Sequence, residues 1–450
     1  MTYQDFTKAI TNTGLETAVK SAVNSWKNGT VYKTAVDADC YDRHKNITLA
    51  TISAMKAEMG KRLYGNAGND AKSEISSNFF HRLNTQRCNY LLGNGLSFPE
   101  KETSGRFGAK FDTLVKDIAY KALIHGVCFG YWSDKLYCFE VTEFAPLWDE
   151  ETGVLMAGVR FWQIAPNKPT YYVLYEVDGY TKFVDKDGVM RLTDDKHGYI
   201  QVVSKTEIDG EMIVGEQNYS ALPIIPMWGS KLHQSTLIGL RSAIDAYDIV
   251  NSGFADDLNE MQEIFWILQN YGGMNQDDLV KFFRRLKWFK VAEMDTSDSG
   301  TITPYKQEVP YQSRQIFLDN IRKQMYEGFG ALDVHQLSAG STNDHIDAAY
   351  QPLDEEADDL EFQVIEFVQQ LGALLGIADD KCTPQFKRNR ISNQSEQVAM
   401  IVQEAAWLDE ETIIKKLPNV TPDEIEEIMK RKSVEDIDRF MSAEGAVEVV

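Results

Sequence analysis

The chain has 450 residues, 43% of them hydrophobic and 25% charged, so it can bury a large core and is too apolar to be disordered. Its 46 basic and 68 acidic residues give a formal charge of −22, which excludes a protein that coats nucleic acid. No run approaches the ~20 apolar residues of a membrane span, and the N-terminus lacks the pattern of a signal peptide. We therefore expect a soluble protein made and kept in a cytoplasm. The five cysteines show no CxxC spacing and are expected to be reduced and mostly buried.

The first half of the chain combines helices with an antiparallel sheet. Residues 1 to about 120 are predicted to be mainly helical, because apolar positions recur every three or four residues in ATISAMKAEMGKRLY and NFFHRLNTQRCNYLLG. From Val127 to about Met227, aromatic and β-branched runs alternate with turns, several of them Asp-Gly pairs, which is typical of hairpins. The fold class is therefore α+β.

The second half is dominated by long helices. One is predicted from about Leu232 to Glu263, with its apolar pattern continuing through IFW, and another from Tyr311 to Phe329. Between them, LKWFKVAEM and TITPYKQEV flank the turn DTSDSG and predict a hairpin. The polar stretch LSAGSTND precedes a long helix from about His345 to Gly376, and the tail from about Ser392 is again helical.

Catalytic chemistry finds little support in the sequence. The chain has no GxGxxG, GxxxxGK[ST], HExxH or GxSxG motif, so neither an enzyme nor a cofactor is predicted. Three groups of acids and histidines could suggest ion binding, but a solvated turn for the first and ordinary helix-edge pairs for the others are favoured. These groups are Asp37, Asp39 and Asp42; Asp333 with His335; and His345 with Asp347.

Two charged clusters leave alternatives open. The carboxylates Asp354, Glu355, Glu356, Asp358, Asp359 and Glu361 have the density of a Mg²⁺ site, but on a helix they spread widely and favour a solvated acidic face. The second cluster combines aromatic residues with Lys281, Arg284, Arg285, Lys287 and Lys290. It is explained either by aromatic packing with local ion pairs or by a surface for a polyanion or an acidic partner.

The order of these parts resembles the bacteriophage portal proteins of the SPP1-type family over about residues 75 to 376. The passages that carry the resemblance are NYLLGNGLSF, KALIHGVCFGYW with FEVTEFAPLWDEETGVLMAGVRFW, and LRSAIDAYDIVNSGFADDLNEMQEIFWIL. Asn94-Gly95 departs from the Lys-Pro that the family favours, and the N-terminus and tail diverge.

The resemblance implies a portal fold with a helical and α+β wing, a two-helix stem, a small α+β clip, a long helix and a helical crown. The implied boundaries are wing 1–231, stem helices 232–263 and 311–329, clip 264–310, tunnel loop and long wing helix 330–376, and crown 377–450. The implied tunnel loop contains Ser338, Ala339, Gly340, Ser341, Thr342 and Asn343, and the clip's basic cluster is a candidate motor-docking site.

The resemblance also implies a biological role. It is a ring of probably twelve subunits at one capsid vertex of the virion, assembled in the bacterial cytoplasm. Double-stranded DNA would pass through it during packaging by the terminase large subunit and again during ejection. Major capsid, scaffolding and head-completion or tail adaptor proteins would be its other partners, with no cofactor and no membrane. Two alternatives remain: another phage connector, such as a head-completion adaptor, or a metal-dependent nucleic-acid enzyme using Asp354, Glu355 and Asp358.

Overall fold

The computed structural model describes residues 1–64, 73–205, 212–260, 265–269, 301–305, 311–336 and 342–390, with a few isolated residues elsewhere. These form two compact units. The first comprises Met1–Ala35, Leu83–Thr236 and Tyr326–Val450, and the second comprises Val36–Arg82 and Leu237–Met325. Among the described residues, no helix combines the length and apolar character needed to cross a membrane.

Helices and strands are both abundant, as the α+β prediction requires. The helices are α1 (Tyr3–Thr13), α2 (Leu15–Asn28), α3 (Thr30–Asp42), α4 (Ile47–Tyr64), α5 (Phe79–Leu92), α6 (Lys101–Phe107), α7 (Phe111–His125), α8 (Leu237–Glu260), α9 (Tyr311–Phe329), α10 (Asn343–Leu374) and α11 (Asp379–Cys382), with a 3₁₀ turn at Val334–Gln336. The strands are β1 (Leu96–Ser97), β2 (Val127–Trp132), β3 (Leu136–Phe139), β4 (Phe144–Trp148), β5 (Leu155–Gln163), β6 (Thr170–Glu176), β7 (Gly179–Lys186), β8 (Val189–Leu192), β9 (Ile200–Lys205), β10 (Met212–Gln217), β11 (Ile224–Trp228), β12 (Phe265–Gln269), β13 (Thr301–Tyr305) and β14 (Gln385–Phe386).

The first unit contains an antiparallel sheet in the order β4-β5-β6-β7-β8. Its turns use the predicted chemistry: Asp187 and Gly188 have φ of 55° and 85°, and Gly179 has φ of 136°. Helices α1 and α2 pack on this sheet, and Phe6 and Val19 are fully buried against Leu174 and Phe183 in one apolar core. Consecutive strands pair as neighbours, which explains why local turn signals were enough to predict this sheet.

A second sheet of the first unit, in the order β11-β2-β3, packs against helices α7 and α10. The Phe367 ring lies directly on the backbone of Gly130 in β2, since a Cβ added there would come within 2.5 Å of the ring. Phe367 and Leu136 are both buried in the same core. The position therefore requires glycine for close approach rather than for an unusual backbone angle.

In the second unit, an extended segment is held along helix α8 by a stripe of polar side chains. The backbone N–H groups of Ser77, Ile75 and Ser73 donate to Asp248 Oδ1, Ser252 Oγ and Asp256 Oδ1 at 3.0, 3.0 and 2.7 Å. The three acceptors are four residues apart and so lie on one face of the helix. Residues 73–77 are called the strap below. Alternate backbone N–H groups of the strap thus donate to side chains of the helix rather than to another strand.

The same face of α8 continues into a polar cluster around Tyr41. Its hydroxyl donates to Asp245 Oδ1 at 2.5 Å, while Asn46 Nδ2 donates to Asp248 Oδ2 at 2.8 Å. Burial, followed by the hydrogen bond to Asp245, raises the pKa of Tyr41 to about 12. Burial also raises the pKa of Asp248, although hydrogen bonds from Asn46 and Ser77 oppose the shift.

The structure corrects two predicted boundaries of α8. The helix begins at Leu237 rather than Leu232, because the hydroxyls of Ser235 and Thr236 donate to the carbonyls of Ile124 and Leu123 and hold this segment in a turn. The prediction that IFW continues the helix is wrong, since Phe265–Gln269 is a strand that pairs antiparallel with Thr301–Tyr305. Short apolar runs fit either structure, and the partner strand decides. The other half of the predicted hairpin, LKWFKVAEM, lies outside the described residues.

The acidic turn predicted at Asp37, Asp39 and Asp42 is also wrong, because all three lie within α3. Asp37 accepts from Arg241 at 2.7 Å, and Asp42 lies 2.9 Å from His81 Nδ1. The five cysteines are free in the structure, and Cys88, Cys128 and Cys382 are buried. Burial raises the pKa of the Cys88 thiol to about 12, which keeps it protonated and unreactive.

We expect Gly130→Ala to lower the free energy of unfolding by about 1–3 kcal/mol, because the new methyl group must displace the Phe367 ring from a filled core. Combining it with Phe367→Leu should recover part of that loss relative to the sum of the two single changes. Gly105→Ala is a matched control, since nothing lies within 4 Å of its Cβ. Chemical denaturation of the parent protein and the four variants measures these effects, and additive effects of Gly130→Ala and Phe367→Leu would contradict the close contact.

Candidate functional site: the loop before the long helix and its anchors

The loop between α9 and α10 contains the predicted tunnel-loop residues. Ser338, Ala339, Gly340 and Ser341 lie outside the described residues, whereas Thr342 and Asn343 are described. Thr342 is the N-cap of α10, and its Oγ1 accepts from the His345 backbone N–H at 3.4 Å. Asn343 is the first residue of that helix. Thr342 therefore starts the helix, a role that the sequence analysis did not predict, and Asn343 is helical although it was predicted to lie in the loop.

The start of the loop is fixed by Arg87 of α5. Its Nη2 donates to the Phe329 carbonyl at 2.6 Å, and its guanidinium lies 4.0 Å from the centre of the Phe329 ring. Its Nη1 lies 2.9 Å from Glu356 Oε2 on α10. One side chain therefore joins the end of α9, the body of α10 and α5.

Arg87 is only 5% exposed, so its charge depends on these partners. Burial lowers the pKa of Arg87, and the charges of Glu356 and Asp359 act in the opposite direction. Arginine nevertheless stays protonated in proteins. Glu356 and the Phe329 carbonyl already engage the buried Arg87 guanidinium, in a chain of net charge −22. We therefore assign Arg87 a structural role rather than a role in binding anions.

Two further contacts hold the first residues of the loop. Gly330 has φ of +65°, and a Cβ there would approach Glu356 Cγ to 2.7 Å. Both the backbone angle and the lack of space therefore disfavour any residue other than glycine. Gln86 Nε2 donates to the Leu332 carbonyl at 3.0 Å, and Leu332 is buried beside Tyr90 and Tyr350. The loop thus leaves α9 along a path determined by α5 and α10.

The two predicted helix-edge pairs have structural roles. Asp333 Oδ1 accepts from the His335 backbone N–H at 3.1 Å, which is a local turn contact. His345 contributes its backbone N–H to the Thr342 cap, and Asp347 Oδ1 lies 3.2 Å from Arg390 Nη1.

The carboxylates of α10 are exposed or partly exposed, as an acidic face requires, but most of them are ion-paired, which the sequence analysis did not predict. Arg388 contacts Asp354 Oδ1 at 2.8 Å and Glu361 Oε2 at 2.9 Å, and it also pairs with Asp358. Arg390 pairs with the other oxygen of Asp354. The acids are a binding surface for the segment after α11, which reaches back over the long helix.

The remaining contacts of this cluster complete the hydrogen bonding of Asp354. The Tyr90 hydroxyl donates to Asp354 Oδ1 at 2.6 Å, and Arg390 Nε donates to the Tyr90 oxygen at 2.8 Å. Burial opposes ionisation of Asp354, but the bonds from Arg390, Tyr90 and Arg388 outweigh it and lower its pKa. For Arg390, the bond to Asp354 is the main cause of a raised pKa.

A Mg²⁺ site on Asp354 and Asp358 is therefore disfavoured, because protein cations already occupy the positions of a metal. Only Glu355 of the three residues in the enzyme hypothesis is exposed with a single weak partner, Gln351 at 3.4 Å. The sequence signal for this cluster was the run KRNR, whose two arginines follow an acid-rich helix. The predicted basic cluster Lys281, Arg284, Arg285, Lys287 and Lys290 lies outside the described residues.

Asp354→Asn should lower the free energy of unfolding by about 1.5–3 kcal/mol near pH 7, because it removes charged hydrogen bonds to two arginines and a tyrosine. The folded pKa of Asp354 is depressed, so its contribution is complete above the unfolded pKa of about 3.9 and is lost as pH falls through the folded pKa. The difference between the two proteins should accordingly close below about pH 4. Glu355→Gln is the control and should stay within about 0.5 kcal/mol. Equal effects of the two changes in urea titrations would show that the cluster adds no stability.

Comparison with known proteins identifies the family of this chain. The family model described as phage portal protein, SPP1 Gp6-like, matches residues 57–437. The portal protein of Clostridium phage phiCD119 is 26% identical over 395 residues, covering 80% of this chain and 84% of that protein. The portal protein of Bacillus phage SPP1 is 26% identical over 242 residues, covering 50% of this chain and 46% of that protein. Because the family model matches well over half of this chain, the chain belongs to the SPP1 Gp6-like family of phage portal proteins.

Proposed function

We propose that the chain forms the ring-shaped channel at one capsid vertex through which a phage genome is packaged and later ejected. The observation that carries this proposal is the family match over residues 57–437, which includes both long helices and the loop between α9 and α10. Twelve copies form the ring in the virion, after assembly in the bacterial cytoplasm. The family is one of structural proteins, and we propose that this chain has no catalytic activity of its own.

Within that ring we propose the boundaries expected from the sequence. The wing is 1–231, the clip is 264–310 and the crown is 377–450. Helices α8 and α9 lie within the proposed stem segments 232–263 and 311–329. The segment 330–376 contains the tunnel loop and α10, the long wing helix.

The anchoring of the tunnel loop supports a role in contacting moving DNA. A loop that touches DNA during translocation must stay attached while the duplex moves, and Arg87 and Gln86 fix its first residues through the Phe329 and Leu332 carbonyls. The Thr342 cap fixes its last residue. The proposed contact residues Ser338, Gly340 and Ser341 are uncharged, so they form no strong phosphate contact.

Net charge supports the same role. Each phosphate that a fixed cation neutralises adds affinity, which for a moving duplex is friction. A chain of net charge −22 avoids holding DNA, and the buried Arg87 and paired Arg388 and Arg390 are already engaged by protein groups. The energy for translocation then comes from a separate motor, the terminase large subunit.

The proposed partners follow from position on the capsid. Lys281, Arg284, Arg285, Lys287 and Lys290 of the clip dock the terminase and, after packaging, the head-completion or tail adaptor. Major capsid and scaffolding proteins meet the ring within the shell. Another phage connector and a nucleic-acid enzyme were the alternatives, and no contact among the described residues favours either.

The ring is tested by negative-stain electron microscopy of the purified protein over a concentration series, and of procapsids that contain it. We expect closed rings with a central hole and, for twelve copies of 51.1 kDa, a mass of about 600 kDa. Absence of rings from both preparations would refute the proposed function.

Packaging assays test the loop and the clip separately. Ser338→Lys with Ser341→Lys should slow DNA translocation several-fold, because two new cations per subunit bind phosphates. Thr342 is left unchanged, since replacing it would also remove the cap of α10.

Arg284→Glu with Arg285→Glu is the companion variant. It should reduce stimulation of the terminase ATPase while rings still form, whereas the loop variant should leave that stimulation intact. Normal translocation by the loop variant would remove the loop from the DNA path, and normal stimulation by the clip variant would remove the proposed docking site.

A further inference from the structure

A groove of about 800 Å³ lies in the first unit between β11, the turn that precedes β5, and α10. Its apolar wall includes Leu155, Leu222 and Ile225. Trp148 and Trp228 stack with ring centres 5.8 Å apart, and His233 stacks on Trp228 at 3.8 Å. The groove therefore offers an extended aromatic and aliphatic surface to an apolar side chain.

Several exposed apolar side chains line this groove or lie near its lining residues in the sequence. Val154, which lines it, is 55% exposed, and Leu232, next to the lining residue His233, is 65% exposed. Phe362 is 68% exposed and lies one helical turn before the lining residue Glu366. Apolar side chains grouped around a groove mark an interaction surface more strongly than the same residues scattered singly.

A convex apolar feature is present at the β5–β6 hairpin. Ile164 is 75% exposed, the largest exposed fraction among the large hydrophobic residues in the described part of the chain. The turn is rigid, because Gln163 Nε2 donates to the carbonyls of Pro166 and Lys168 at 3.1 and 2.7 Å. The Lys168 N–H also donates to the Ala165 carbonyl at 2.9 Å. The tip presents Ile164 and Pro166 together with the exposed cation Lys168 in one fixed shape.

The groove and the tip lie at opposite ends of strand β5. Leu155, the first residue of β5, lines the groove, and Ile164 follows Gln163, the last residue of β5. Eight residues of strand separate these ends by about 27 Å, so the tip cannot enter the groove of its own subunit. Two different patches at opposite ends are what a head-to-tail interface uses, and repetition of such an interface closes a ring.

We infer that the hairpin tip of one subunit, residues 164–168, seats in this groove of a second copy of the chain. Ile164 and Pro166 cover the Trp148 and Trp228 surface, and Lys168 approaches Glu366 at the edge of the groove, which pairs opposite charges. The inference rests on the proposed ring and names a contact that closes it. An acidic chain needs such a contact, because apolar burial and one local ion pair offset repulsion between copies of charge −22.

The first test compares Ile164→Glu with Val189→Glu. Val189 is 56% exposed and begins β8 at the same end of the sheet, so it is a matched control. Ile164→Glu should raise the subunit concentration needed for half-maximal ring formation by about tenfold or more, since it places a charge in an apolar groove. Val189→Glu should change it less than threefold, roughly the scale of a surface substitution. Analytical ultracentrifugation measures both.

The second test joins Asn167→Cys to Val154→Cys in one chain whose partly exposed thiols are removed by Cys40→Ser and Cys138→Ala. A short bismaleimide should then link successive subunits into a ladder beyond dimers on a denaturing gel, while each single-cysteine chain gives no ladder. Rings that yield no ladder, and that form equally with glutamate at either position, overturn this inference and leave the ring intact. Absence of rings from purified protein and procapsids alike overturns both.

Discussion

The long helix α10 carries six carboxylates between positions 354 and 361, and the first unit depends on cations that reach them from distant parts of the chain. Arg87 arrives from α5, and Arg388 and Arg390 arrive from the segment that follows α11. Unpaired, these acids would repel one another across successive helical turns. When they are paired with arginines, the carboxylates of α10 hold α5 and the segment after α11 against the long helix. Acidic residues that would repel one another thus contribute to the local packing.

This arrangement determines how the loop between α9 and α10 is held. Arg87 joins Glu356 to the Phe329 carbonyl, and Gly330 lies against Pro352 and Glu356 with no room for a side chain. The loop therefore begins on the acidic stretch of α10 and ends at the Thr342 cap of the same helix. Both described ends of the loop are therefore fixed to one helix, which suits a segment proposed to contact passing DNA.

Sequence patterns predicted the turns and helices that neighbouring residues determine. They missed the strand and the ion pairs whose partners lie far away in the sequence. Turn chemistry such as Asp187-Gly188 was sufficient to predict a meander of strands, and local sequence patterns predicted α5 and α10. Phe265–Gln269 was misassigned because a strand 32 residues later supplies its hydrogen bonds. The partners of Asp354 were missed for the same reason: the arginines that pair with it follow at positions 388 and 390. The basic cluster and most of the tunnel loop remain predictions.

The strap on α8 has a mechanical consequence that follows from two repeat lengths. Two residues of extended chain advance about 6.6 Å, and four residues of helix advance about 6.0 Å, so the repeats match to within about 0.6 Å per contact. Over the three contacts at Asp248, Ser252 and Asp256, the accumulated mismatch stays within the range of hydrogen-bond distances. Each further contact would add to this mismatch. A shift of the strap by one residue would turn its donating N–H groups away from the helix. The three hydrogen bonds thus define the axial register of the strap on the helix.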